Sequence, residues 1–150
     1  VNDEYRVQVT GLRELQAALR RINADLPKEL KARFLEIART VSTKASAKVP
    51  RITGQAAASV KPHGTLRGAS VTGGGARTPY FPWLDFGGGD PHRRGVTPNR
   101  SGGEGRRPFV PGGRYLYPAA AEQGSATYDA AQAAVRDVAK KAGFDVQEGV

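Results

Sequence analysis

Apolar residues along this chain change period several times, and each change marks an element. Tyr5, Val7 and Val9 alternate with Arg6, Gln8 and Thr10. Period two with β-branched residues predicts a short half-buried strand over 5–10. After Gly11 the period becomes helical. Leu12, Leu15, Leu19, Ile22 and Leu26 form one stripe, and Arg13, Gln16, Arg20 and Arg21 lie mostly off it. The pattern breaks over 23–27, where Pro27 suits the first turn of a second helix. Leu30, Phe34, Ile37 and Val41 mark one face of that helix, which is expected to run to about Ala47. Pro50 stops it, because the residue before a proline is disfavoured from helical backbone.

Periodicity weakens in the middle. Residues 53–60 read either as one helical turn, which their alanines favour, or as the approach to a strand; Thr53 is a candidate cap. Leu66, Ala69 and Val71 suggest a strand over 65–72, bounded by Gly73, Gly74 and Gly75. Residues 79–87 are aromatic and proline-rich, and Pro82 argues against a central strand there, since it has no N–H to donate. The run 88–106 holds glycines and arginines with Val96 as its lone apolar residue, and is expected to be a flexible basic loop. Apolar character returns at Arg114-Tyr-Leu-Tyr117. Alanine then dominates, and Ala120, Ala121, Ala126, Ala130, Ala133, Ala134, Val138 and Ala142 include a loose helical face. Gly143 reads as a C-cap and 144–150 as a frayed tail. The order is an N-terminal strand, two amphipathic helices, a small antiparallel β region with a long inserted loop, and a C-terminal helix. Strands and helices are segregated, so the expected class is α+β, in a single domain over 1–150.

Composition narrows the function classes. With 39% hydrophobic and 7% aromatic residues the chain buries only a lean core, and association with neighbours is a natural source of further stability. Cysteine is absent, which removes disulfides, thiolate metal sites and cysteine nucleophiles. No apolar run approaches the ~18 residues of a membrane span, so no membrane partner is expected. The start, Val1-Asn-Asp-Glu-Tyr5, is polar and acidic and unlike a signal peptide, so a cytosolic product is expected.

The formal charge of +9 is unevenly spread. Residues 1–50 carry ten Lys/Arg against six Asp/Glu, 51–117 ten against three, and 118–150 three against five. Nine of the ten cations in the middle stretch are arginine, which forks to carboxylates and phosphates and stacks on aromatic faces. Two readings follow: an anionic partner, either nucleic acid or an acidic protein surface, or a basic surface that only keeps the protein soluble.

Catalytic patterns are thin. Asp85-Phe86-Gly87 spells the metal-binding triplet of protein kinases, but no glycine-rich loop, paired lysine or catalytic loop accompanies it. Asp85, Asp90 and His92 lie near one another in sequence, yet glycines separate them, so no rigid element aims them at a metal. A small hydrolase would rest on those three residues alone. The serines at 42, 46, 59, 70, 101 and 125 stand in no strand–turn–helix elbow. Gly73-Gly-Gly75 lacks the lysine of a phosphate loop. No enzyme, metal or cofactor is expected. Arg93, Arg94, Arg100 and Arg106 have phosphate-contacting chemistry. Their loop has no aromatic for base stacking, so contact with DNA would be non-specific, and docking on a partner protein is the competing reading.

Several weak motifs recur in a fixed order. Gly11-Leu12-x-x-Leu15 opens a helix. Ala47-x-x-Pro50-x-x-Thr53-Gly54 follows, with Ser59 after it. Then come Pro79-Tyr80, Asp85-Phe86-Gly87, Arg107-Pro108-Phe109 and Pro118-Ala119. Across roughly 11–140 this series resembles the neck or tail-component family of long-tailed bacteriophages, related to tail-completion proteins of the minor tail protein Z type. The chain departs from that pattern in the run 88–106, which resembles an insertion, and in 111–117, which delays the last helix.

The resemblance implies a virion structural protein at the head–tail junction, assembled in the host cytoplasm. It implies a homo-oligomer, in a ring or otherwise, among adaptor, stopper, terminator and tail-tube proteins around the DNA channel. The alternative is a non-specific DNA-binding protein using the central arginines. Pro50, Thr53, Gly54, Ser59, Tyr80, Trp83, Asp85, Phe86, Gly87, Arg107, Pro108 and Phe109 are the candidate motif or contact residues. Tyr80, Trp83, Phe86 and Phe109 are expected as core or interface aromatics, and an Asp85–Arg107 ion pair is expected to tie the ends of the loop.

Overall fold

The computed structural model describes residues 11–88 and 107–145. The strand expected over 5–10, residues 89–106 and the tail from 146 lie outside the described residues. The described chain is α+β, with six helices and a two-stranded antiparallel sheet. The elements are α1 (Leu12–Ile22), α2 (Leu26–Lys48), α3 (Gln55–Ala58), β1 (Lys61–Thr65), β2 (Gly68–Thr72), α4 (Phe81–Phe86), α5 (Leu116–Glu122) and α6 (Gly124–Lys141). No helix among the described residues is long and apolar enough to cross a membrane.

Packing divides the chain into two units. One comprises the described residues of Val1–Thr40, Pro62–Ser70 and Gln123–Val150; the other comprises Val41–Lys61 and the described residues of Val71–Glu122.

The first unit is built by helix periodicity. Leu26, Leu30 and Phe34 of α2 recur every four residues and so share a face. They bury against Leu19 of α1 and Ala131, Ala134 and Val138 of α6, with Leu15, Ile37 and Val135 alongside. Alanine lets α6 approach closely at small cost in side-chain entropy. Ile22, expected on the α1 stripe, is exposed, because the helix ends there and Asn23 turns extended. The expected alanine face of the last helix is also shifted: Ala126, Ala130 and Ala133 are exposed, and the buried set is Ala131, Ala134, Val138 and Ala139. Charge crosses from α2 to α6 through Glu29, which accepts from Lys141 at 2.5 Å, and Arg33, which lies 3.5 Å from Asp137. Gly143 closes α6 as predicted. Its N–H reaches the Lys140 carbonyl, and the Phe144 N–H reaches that of Ala139, both at 3.0 Å, which is a Schellman cap.

Two sequence expectations change here. The strand over 65–72 is instead a hairpin, with β1 ending at Thr65 and Leu66-Arg67 in the turn. The Thr65 hydroxyl accepts the Arg67 N–H and donates to the Gly68 carbonyl, both at 3.1 Å, so a local side chain wins over strand propensity. The single C-terminal helix is two, α5 and α6, separated at Gln123 just before Gly124, whose helix-interior cost is about 1 kcal/mol against alanine.

The second unit gathers Ala45 and Val49 of α2, Ala56, Ala57 and Val60 around α3, and Phe81, Tyr115 and Ala119. Residues 55–58 resolve as a helical turn, and Gly54 takes the cap position expected for Thr53. The aromatic segment is helical too: Pro82 sits in the first turn of α4, where its missing N–H costs nothing.

Candidate functional site

Segments with little periodicity of their own meet around one carboxylate. In α4, Phe81 enters the apolar cluster, and Asp85, four residues on, faces the same way and is fully buried. Asp85 Oδ1 accepts the backbone N–H groups of Arg114 and Tyr115, each at 2.8 Å. These are the last two amides before α5. The approach to that helix, Gly112-Gly-Arg-Tyr115, contains no Ser, Thr, Asp or Asn to cap it. Asp85 supplies the acceptor from 30 residues upstream. Gly113 presses on the same group: a Cβ there would lie 3.0 Å from Asp85 Oδ1. Asp85 Oδ2 is buried and has no hydrogen-bond partner among the described residues.

Arg114 adds a second tie. Its Nη1 donates to the Asp85 carbonyl at 3.0 Å, and its Nη2 donates to the Pro108 carbonyl. The main chain joins the same two segments. Gly88 N–H donates to the Arg107 carbonyl and Val110 N–H to that of Phe86, both at 2.7 Å. The Trp83 indole N–H donates to the Gly88 carbonyl at 3.1 Å. Gly87 has φ +82, and a Cβ there would collide with the Pro108 carbonyl oxygen, so close backbone approach and left-handed backbone both demand glycine. The motif segments at 85–88 and 107–110 are thus bonded to each other directly.

The expected Asp85–Arg107 ion pair is not formed. Arg107 Nη2 donates instead to the Tyr115 hydroxyl at 2.7 Å, and its guanidinium lies 5.9 Å from the Tyr115 ring centroid. The physical reason is that Asp85 is sealed in the interior and its accepting oxygen already serves two amides. Gly88 and Arg107, which flank 89–106, are joined all the same by a backbone bridge.

The remaining predicted residues fall into four groups. Trp83, Phe86 and Phe109 are half-buried, with the Phe86 and Tyr117 rings edge to face at 5.9 Å, and Tyr80 packs on the apolar cluster. Ser59 is structural. Its hydroxyl donates to the Ala56 carbonyl at 2.7 Å and accepts the Gly74 N–H at 3.0 Å, joining α3 to the glycine segment that leads into α4. Pro50, Thr53 and Pro108 are exposed, and Ile52 between the first two is 96% exposed. Arg93, Arg94, Arg100 and Arg106, with Asp90 and His92, lie outside the described residues. No cluster of three or more metal-ligating side chains occurs among the described residues.

Sequence reasoning missed Phe81, Arg114 and Tyr115. The available signal for the last two was an uncapped helix start after two glycines, which requires an acceptor from elsewhere in the chain. Chemically, the arrangement fixes main-chain segments against one another. Comparison of the chain with protein-family models, with curated proteins and with solved structures gives no match.

Proposed function

We propose that this chain is a structural protein of the head–tail junction of a long-tailed bacteriophage, acting through protein–protein contacts in a homo-oligomer. The observation that carries the reading is the ordered motif series from Gly11 to Ala119, in which the segments bearing Asp85-Phe86-Gly87 and Arg107-Pro108-Phe109 lie together through the Gly88–Arg107 and Val110–Phe86 main-chain bonds, with Gly87 close against the Pro108 carbonyl. Three further features support it. The core is lean. Half-buried aromatics at Trp83, Phe86 and Phe109 are the residue types that anchor interfaces. Ile52 is presented to solvent beside Pro50 and Thr53. The partners would be neck and tail proteins, with the basic surface tolerating DNA in the channel.

Particles assembled without the protein test this reading. The expected result is filled heads and finished tails that stay separate, with joining restored when the protein is supplied. Joined, infectious particles formed in its absence would overturn it. The rival reading, non-specific DNA binding, draws on the charge of +9. It predicts retention on DNA that falls steeply with salt, with no effect on head–tail joining.

A further inference from the structure

A second feature lies in the first unit, away in sequence from the Asp85 motifs. α1, α2 and the β1–β2 hairpin enclose an open groove of about 480 Å³, lined by Arg20, Ala24, Pro27, Lys28, Lys31 and the hairpin tip at 64–66. Its shape is built in. Gly64 lies directly on α2, where a Cβ would come within 2.6 Å of the Lys31 carbonyl oxygen. Gln16 of α1 donates its side-chain amide to the Leu66 carbonyl, fastening the hairpin tip from the other side.

The groove has two chemistries. Ala24, Pro27, Leu66 and the lysine stems make its walls mostly apolar. Its charge is all positive, from Arg20, Lys28 and Lys31. Lys28 is matched by Asp25 at 2.8 Å, whereas Arg20 and Lys31 form no ion pair within the described residues. Two open cations on apolar walls suit a ligand with carboxylates flanking an apolar side chain. A nucleic-acid backbone presents one charge per few ångströms and no apolar group to fill such a groove.

From this complementarity we infer that the groove docks an acidic peptide segment of a partner protein, with an apolar residue seated on Ala24, Pro27 and Leu66 and its carboxylates on Arg20 and Lys31. The site does not depend on the head–tail assignment, and binding is measured on the isolated full chain.

The probe is a fluorescent synthetic peptide, Glu-Glu-Leu-Glu-Glu with glycine-serine flanks, titrated in anisotropy. The Arg20→Glu/Lys31→Glu variant should bind at least about fivefold more weakly, in keeping with two lost and reversed charge contacts of the surface type. A Lys44→Glu/Lys140→Glu variant makes the same change in net charge on exposed residues outside the groove, and should bind like the parent. Replacing the probe's leucine with serine should also weaken binding. Circular dichroism melts of both variants confirm that each is folded. Equal weakening in the two variants would reduce the effect to net charge and overturn the proposal. Indifference to the leucine, absence of binding, or tighter binding of a single-stranded oligonucleotide that the groove variant abolishes would each overturn it as well.

Discussion

The two units hold themselves together by different means. In the first, leucines and a phenylalanine of α1 and α2 meet alanines and a valine of α6, and burial of apolar area carries the stability. In the second, an apolar cluster is supplemented by a carboxylate, two guanidinium groups and backbone amides bonded at 2.7–3.0 Å across segments far apart in sequence. Apolar contact is non-directional and tolerates substitutions of similar volume. A buried carboxylate that caps a helix from a distance tolerates no change in acceptor strength or position, because its donors are left unmet. Apolar periodicity builds the first unit's core; the second adds a few directional bonds to an apolar cluster of its own.

That contrast can be broken in several places. Phe34→Ala should produce the largest loss, about 3–5 kcal/mol, because removing a buried ring leaves a cavity. Urea unfolding followed by circular dichroism measures it. Asp85→Ala should cost about 2–4 kcal/mol in the same assay by stranding the amides of Arg114 and Tyr115. The sharper test is a pair of conservative changes. Leu30→Met should cost less than about 1.5 kcal/mol, since volume and polarity are kept. Asp85→Asn, equally close in shape, should cost more than that, because a neutral amide oxygen is a weaker acceptor for the two amides than a carboxylate. If the leucine change proved the costlier, the contrast would fail.

Smaller effects refine the picture. Arg107→Ala removes the bond to the Tyr115 hydroxyl and should cost about 1 kcal/mol while leaving the Gly88–Arg107 backbone bridge in place. Limited proteolysis in 89–106 should therefore be little changed; a large increase would mean that the side chain, not the backbone bridge, holds Gly88 and Arg107 together. The smallest effect is one of pH. The hydrogen bond from Lys141 holds the Glu29 carboxyl below its ordinary 4.5, aided by the charges of Lys141 and Arg33. The contribution is complete above that value and is lost as pH falls through the lowered folded-state value. Glu29→Gln should flatten the acid side of the stability profile slightly, the pair being largely solvent-screened.

Legibility in the sequence followed the same divide. Helix spacing identified α1, the buried face of α2 and the Gly143 cap, because period and capping are local properties. It misplaced the alanine face of α6, since alanines occur all round that helix and only packing selects among them. It could not find the cap on α5, whose acceptor is 30 residues away. The order of motifs did single out Asp85, Phe86, Gly87, Arg107 and Pro108, and these residues do come together. The bond expected between Asp85 and Arg107 followed from charge alone, whereas burial decides that an amide, not a guanidinium, reaches the carboxylate.

Asp85 anchors the start of α5 to α4 by accepting the amides of Arg114 and Tyr115. Residue-resolved hydrogen exchange on Asp85→Asn tests this anchoring most directly. In that variant these two amides should exchange at least about tenfold faster than in the parent, the equivalent of about 1.4 kcal/mol, while Phe34 and Val138 amides keep their protection. Unchanged exchange at Arg114 and Tyr115 would contradict it.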